Sequence, residues 1–198
     1  PPENRSCSRS PESPLSLSRS DKSNCPPVMW VKGQRQQVPV TERNSQELYL
    51  NFRTRALRNR EISMTSSAET HPDMKLLYEF WSHFLCRNFN SQMYSEFRRY
   101  ALEDARAGFL NGLNNLISYY DEILNSKKKV IPEILARHYV DLVSYEKANE
   151  RPAFERLRAA WRNGALDLKS RKKIDSLVSP KLREELEQAP HQKSDSHK

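Results

Sequence analysis

Residues 93–120 read MYSEFRRYALEDARAGFLNGLNNLISYY. In the first half, Tyr94, Phe97, Ala101 and Leu102 stand at i, i+3, i+7 and i+8, which brings them to one side of a helix. Leu113, Leu116, Ile117 and Tyr120 likewise share one side of a helix in the second half. Between the halves lies AGFLNG, with Gly108 and Gly112 around the turn; one of them can also fall inside the second helix, where a small residue permits close helix approach. The stretch is therefore a pair of amphipathic helices.

The pair recurs. YLNFRTRAL from Tyr49 and YSEFRRYAL from Tyr94 both spell Tyr-x-x-Phe-Arg-x-x-Ala-Leu, at an offset of 94 − 49 = 45 residues. The second helices correspond as well: Leu77, Phe80, Trp81 and Phe84 in LYEFWSHF have the spacing of Leu113, Leu116, Ile117 and Tyr120, and Phe154, Leu157, Arg158 and Trp161 repeat it in FERLRAAW. A looser third first helix lies in IPEILARHYVDLVSYEKA, with Leu135, Tyr139, Leu142 and Val143 toward the core. Periods of about 40 residues are those of HEAT-like repeats, whose units bury their apolar faces by stacking. The expected fold is all-α: three tandem helix-turn-helix HEAT-like repeats with a C-terminal helix. Repeats are expected at about 45–90, 91–127 and 131–163, with an extension over 164–188.

Local signals agree with these boundaries. Ser91, flanked by asparagines near the junction, opens the second repeat. Pro132 suits the first turn of the third repeat's first helix, and Asn163-Gly164 suits the exit from its second. In SPKLREELEQ, Ser179 caps a last helix and Pro180 takes its first position.

Outside 45–188 the composition changes. Residues 1–28, rich in proline and serine with scattered charges, and the tail 189–198 have no periodic apolar face and read as disordered. The SRSP stretch in the head would be open to a kinase, making this a phosphoprotein. The net charge of +8 suits a polyanionic partner. Cys7, Cys25 and Cys86 lack metal-ligand spacing, so neither a zinc site nor a disulfide framework is expected. No apolar run approaches the ~20 residues a bilayer requires, and no signal-peptide core is visible. The chain opens on proline and reads as a piece of a longer protein, from which a targeting segment can have been removed.

No phosphate loop, HExxH or nucleophile flanked by a base is present, so no catalytic residue, metal or cofactor is expected and the chain does not read as an enzyme. His83 lies one helical turn from Glu79 and is either a ligand-facing group or a surface histidine with an acidic neighbour. Glu103 and Asp104, beside Arg106, read as an exposed charged face. Basic residues collect in the link Lys127-Lys128-Lys129 and in a run through Arg151, Arg156, Arg158, Arg162, Lys169, Arg171, Lys172 and Lys173, which either cradles a phosphate backbone or simply solvates the surface. Bases would need aromatic platforms. Among Tyr119, Tyr120, Tyr139 and Trp161, Tyr119 is the candidate for the surface, whereas Tyr120 and Trp161 occupy the core position of Phe84.

The segment MKLLYEFWSHFLCRNFNSQMYSEFRRYALEDARAGFLNGLNNLISYY, 74–120, with YLNFRTRALRNRE before it and SPKLREEL after it, resembles the DM15 region of La-related protein 1, a three-repeat HEAT-like module, over about 48–186. That resemblance implies binding to the 7-methylguanosine cap and first pyrimidine of mRNAs with a terminal oligopyrimidine 5′ end, and cytoplasmic regulation of translation. It also implies where the ligand groups should be. An arginine falls at Glu79, a phenylalanine at His83 and a second arginine at Ser118. The Tyr-Gly-Leu-Glu pattern falls at Glu122-Ile123-Leu124-Asn125, and a second stacking tyrosine at Arg162 or Asn163. None keeps its chemistry. Two expectations follow: an RNA-binding module contacting mRNA 5′ ends with weakened cap recognition, or a scaffold for a protein partner. The RNA candidates are His83, Tyr119, Glu122, Asn125, Lys127, Lys128, Lys129, Arg158, Trp161 and Arg162.

Overall fold

The computed structural model describes residues 28–31, 34–37, 48–66, 68–147 and 149–188. Among them are eight helices: α1 (Tyr49–Ser66), α2 (Pro72–Leu85), α3 (Ser91–Arg106), α4 (Asn111–Leu124), α5 (Glu133–Tyr145), α6 (Pro152–Arg162), α7 (Leu168–Leu177) and α8 (Pro180–Glu187). A short hairpin, β1 (Val28–Val31) and β2 (Gln34–Gln37), precedes them in the chain. Its strands, VMWV and QRQQ, are uniformly apolar and uniformly polar, so no alternation announces them. Apart from Val28, the head and tail read as disordered lie outside the described residues, as do Cys7, Cys25 and the SRSP stretch.

The helices form the all-α, HEAT-like arrangement. α1 packs with α2, α3 with α4, and α5 with α6, and the second helices α2, α4 and α6 pack side by side. The C-terminal extension holds two helices where one was expected. α7 docks on α5 and α8 on α6, so each adds to one of the two helices of the third repeat. α7 escaped notice because LKSRKKIDSL buries only Ser170 and Ile174.

The caps follow local chemistry. Asn90, not Ser91, caps α3: its side-chain oxygen accepts from Met93 N at 2.9 Å, and Ser91 is the first helical residue. Pro132 sits at the cap of α5 with an extended ψ of 145°, one residue before the helix. Asn163 ends α6, and Ser179 caps α8 by accepting from Leu182 N at 3.2 Å. The start of α6 is capped from a distance, by the Glu146 carboxylate, which accepts from Ala153 N and Phe154 N at 2.8 Å each. Gly108, at φ +93°, turns the chain between α3 and α4, where an L side chain would be strained.

The apolar phase of the second helices is as the repeats predict. Leu77, Trp81, Leu116, Ile117, Tyr120, Leu157 and Trp161 are buried, while Phe80, Phe84 and Leu113 are partly covered at the edge. Aromatic rings run through the core. Tyr94 shares a hydrogen bond with Tyr120 (2.8 Å) and another with His138 Nδ1 (2.6 Å), Tyr120 stacks on Tyr139, and Trp81 Nε1 donates to Tyr49 (2.9 Å).

One expectation is overturned outright. Asp104 is not on an exposed charged face; it is 2% exposed. Its carboxylate accepts from Tyr78 Oη at 2.6 Å and from Arg60 Nε at 2.7 Å, tying α3 to α2 and α1. A buried carboxylate persists when its lone pairs are filled and its charge is matched, and both conditions hold here. Glu103 stays at the edge and takes the second Arg60 nitrogen at 3.1 Å. The Tyr78 ring in turn lies over Gly112, where an added Cβ would stand 2.6 Å from ring carbon Cζ, so the helical glycine is there for contact. α1 has almost no apolar face of its own beyond Ala56 and the half-covered Tyr49, Phe52 and Leu57. It is fastened to α3 by polar links, with Arg53 forking onto Glu96 through two 2.8 Å bonds.

Two measurements check this packing. Asp104→Ala leaves the buried Tyr78 hydroxyl and the Arg60 Nε unpaired, with only Glu103 left to the guanidinium, and should cost about 3–5 kcal/mol in denaturant unfolding. Gly112→Ala should cost about 1–3 kcal/mol by overpacking against Tyr78. A loss under about 0.5 kcal/mol for either would mean that the α2–α3–α4 contact is looser than described. The second measurement is alkaline titration. Burial raises Tyr78, Tyr94, Tyr119 and Tyr139 above the ordinary 10.0 and pushes Tyr120 up to about 12. A raised acid favours the neutral form in the fold, so this stabilisation is complete below pH 10 and is lost as pH rises beyond it. Phenolate absorbance from these rings should lag until the helical circular dichroism collapses.

Candidate nucleic-acid interface

On α2 the residues Lys75, Glu79, Ser82 and His83 stand at i, i+4, i+7 and i+8, one face of the helix. On α4 the series Asn111, Asn115, Ser118, Tyr119 and Glu122 has the same spacing extended by one turn. The packing of α2 on α4 sets these faces together as the two walls of an open cleft of about 300 Å³.

The cleft is polar and carries two carboxylates. Glu79 faces His83 on its own helix, Oε1 to Nε2 at 4.0 Å, with Glu79 exposed and His83 half-buried. Lys75 points its Nζ at Glu69 at 3.6 Å. Asn115 donates to Asn111 O at 2.9 Å and more weakly to Asn111 Oδ1 at 3.5 Å, and Ser82 donates to Glu79 O at 2.8 Å, which leaves the Asn115 amide oxygen and the Ser118 hydroxyl for a ligand. Glu122 is exposed and makes no ion pair among the described residues. Tyr119 is part of the floor and only 1% exposed, its hydroxyl buried without a partner, so the surface role expected for it does not hold. Behind the cleft, burial and the neighbouring Glu122 carboxylate push the Cys86 thiol up to about 12.

The remaining candidates divide by position. Lys127, Lys128 and Lys129 are exposed in the bend between α4 and α5, and none of their ammonium groups is ion-paired among the described residues. Asn125 ends α4 instead of facing the cleft, its amide donating to Asp121 O at 2.8 Å. Trp161 is core, 3% exposed, with the Arg171 guanidinium 4.6 Å above its ring. Arg162 donates to Glu187 O at 2.8 Å, closing the end of α8. Arg158 pairs with Glu155 and lies over Phe154.

The basic run is thus largely engaged within the fold. Arg151 binds Glu185 at 2.7 Å, Arg156 binds Asp121 at 3.4 Å, and Lys173 donates to Ile131 O at 2.8 Å. Lys169 and Lys172 stay exposed. Of the two readings of the run over 151–173, a phosphate cradle would have to draw on guanidiniums that already have partners, because a guanidinium near a half-buried carboxylate or an open helix end gains a charge-assisted hydrogen bond there.

The family model for the LARP1 HEAT repeat region matches residues 39–188. The chain belongs to the LARP1 HEAT repeat family. Four positions at which the family resemblance puts ligand groups, Glu79, His83, Ser118 and Glu122, meet in the α2–α4 cleft of this LARP1-type module. Asn125, Arg162 and Asn163 do not line it. Sequence reasoning passed over Lys75, Ser82, Asn111 and Asn115, although their i, i+4, i+7 spacing on the polar faces was available. Among the described residues no group of three or more His, Cys, Asp and Glu is placed to hold a metal ion, and no helix is long and apolar enough to cross a membrane.

The cleft's electrostatics can be checked through its sulfur. In a background lacking Cys7 and Cys25, Cys86 should react slowly with iodoacetamide at pH 8. Glu122→Gln should speed that reaction severalfold, since removal of a nearby negative charge favours the thiolate. An unchanged rate would separate Glu122 from the thiol.

Proposed function

We propose that this chain is an RNA-binding repeat module that contacts the 5′ regions of mRNAs and regulates their translation in the cytoplasm, with cap recognition weakened. Membership of the LARP1 HEAT repeat family supports the RNA ligand. The observation that carries the change in specificity is the α2–α4 cleft. Glu79 and Glu122 stand there where the resemblance expects an arginine and a stacking tyrosine. A cap's triphosphate meets carboxylates in place of a guanidinium, and methylguanine finds no pair of rings to lie between. Attraction comes instead from unpaired cations, Lys127, Lys128 and Lys129 among them, acting on phosphate. The module binds and does not catalyse. A protein-interaction scaffold is the second reading, favoured by the same cleft, whose two carboxylates suit a basic side chain.

Three RNAs separate the readings: a capped pyrimidine-rich strand, the same strand uncapped, and a purine-rich strand, each titrated at two salt concentrations. All three should bind, with affinities that fall steeply as salt rises and differ by less than about fivefold. Reversal of Lys127, Lys128 and Lys129 to glutamate should weaken the three about equally. A strong preference for the cap would overturn the proposed loss of specificity, and failure of all three to bind at moderate salt would favour the scaffold.

A further inference from the structure

A second groove lies on the layer of first helices, between α3 and α5. It has a volume of about 250 Å³ and is lined by Ser95, Arg98, Arg99, Leu102, Glu103 and Arg106 of α3, with Tyr94 behind and His138 of α5 opposite. Ser95, Arg98, Arg99, Leu102 and Arg106 follow one another at helical spacing on one face. At 1.5 Å per residue, the stretch from Ser95 to Arg106 is roughly 16 Å long, enough for two or three successive phosphates of a nucleic-acid strand.

The charge of this groove is not neutralised from within. Among the described residues none of Arg98, Arg99 and Arg106 is ion-paired with a carboxylate, in contrast to the arginines of α1 and α6. Arg99 is exposed, with its guanidinium laid on the Tyr100 ring at 4.4 Å, and Arg106 is exposed in the last turn of α3. Glu103 is the carboxylate in the lining, and Glu96 and Asp141 lie near it. The first two are bound to Arg60 and Arg53 at 3.1 and 2.8 Å, and Asp141 lies toward His138 on α5. The His138 imidazole is held to Tyr94 at 2.6 Å, while burial and the neighbouring Arg98 lower its affinity for a proton, so it serves as a wall and not as a cation.

We infer that the α3–α5 groove is a binding site for the phosphodiester backbone of single-stranded RNA, separate from the α2–α4 cleft. Planar guanidiniums suit phosphate oxygens, to which they can donate two hydrogen bonds each. The groove's aromatic ring, Tyr94, is buried and bonded to Tyr120 and His138, so bases have no platform there and the contact is independent of sequence. Strand held along α3 would leave its 5′ end free to reach the other layer of the repeat. This inference rests on the reading of the chain as an RNA-binding module and says where the strand runs.

The test is fluorescence anisotropy on the full chain with a labelled, uncapped single-stranded RNA, over a salt series. Arg99→Glu with Arg106→Glu should weaken binding on the order of tenfold near 0.1 M salt. The slope of log affinity against log salt should also become shallower, by about 0.7 for each phosphate that the variant no longer engages. Both side chains are exposed, so the helical circular dichroism should be retained, with a melting temperature lowered only slightly by the loss of the Arg99–Tyr100 contact and of the cation at the end of α3. Arg98→Gln, which spares the charge reversal beside Tyr120, should give a smaller loss with the fold intact. Undiminished binding by the double variant overturns the groove and leaves the RNA reading standing. No RNA binding by the unaltered chain overturns both. Equal competition by an acidic peptide matched in charge would also overturn the assignment to RNA.

Discussion

The buried Asp104 carboxylate is the constraint on which the first two repeats depend. An unpaired charge at that depth would be strongly destabilising, so its partners must arrive together. Tyr78 comes from α2 and Arg60 from α1, across 26 and 44 residues of chain. The Tyr78 ring that carries this hydroxyl lies against α4 at Gly112. Four helices are thereby fixed by one carboxylate. This explains how α1, with a weak apolar face, stays in the stack: specific polar links replace much of the apolar contact that other helices supply.

The same geometry prepares the α2–α4 cleft. α2 and α4 turn Trp81, Leu116, Ile117 and Tyr120 inward, which leaves the opposite edge of each helix for polar residues at the same spacing. Close approach at Gly112 keeps the walls near enough to act on one ligand. The repeat architecture therefore keeps a place for binding even where the groups that line it have changed sign. Position belongs to the apolar periodicity, and chemistry belongs to the polar residues between.

Charge is distributed by an analogous division. Arginines close to a carboxylate or an open helix end, such as Arg53, Arg60, Arg151 and Arg162, act as internal fasteners. Those on the groove face of α3 and the lysines after α4 lack such partners. Counting cations along the chain overstates what a polyanion would meet at one end of the stack and overlooks what it would meet along α3.

Every helix but α7, the pairing into repeats and the inward face of each second helix were legible from the chain, because apolar spacing of three and four residues is a local property. Ser179 and Pro180 at the start of α8 were legible for the same reason, as their function is completed within one turn. The candidate cleft was legible in part: Glu79, His83, Ser118 and Glu122 were identified through the family resemblance and do meet. What only the tertiary structure decided concerns partners distant in sequence. Asp104 and Glu103 are adjacent and alike, yet one is buried and the other lies at the edge, according to where Arg60 and Tyr78 arrive. Tyr119 and Tyr120 are both internal because neighbouring helices cover two sides of α4 at that level. A side chain's charge and size are set by the sequence, but its solvation and its ion-pair partner depend on helices that come together only in the fold.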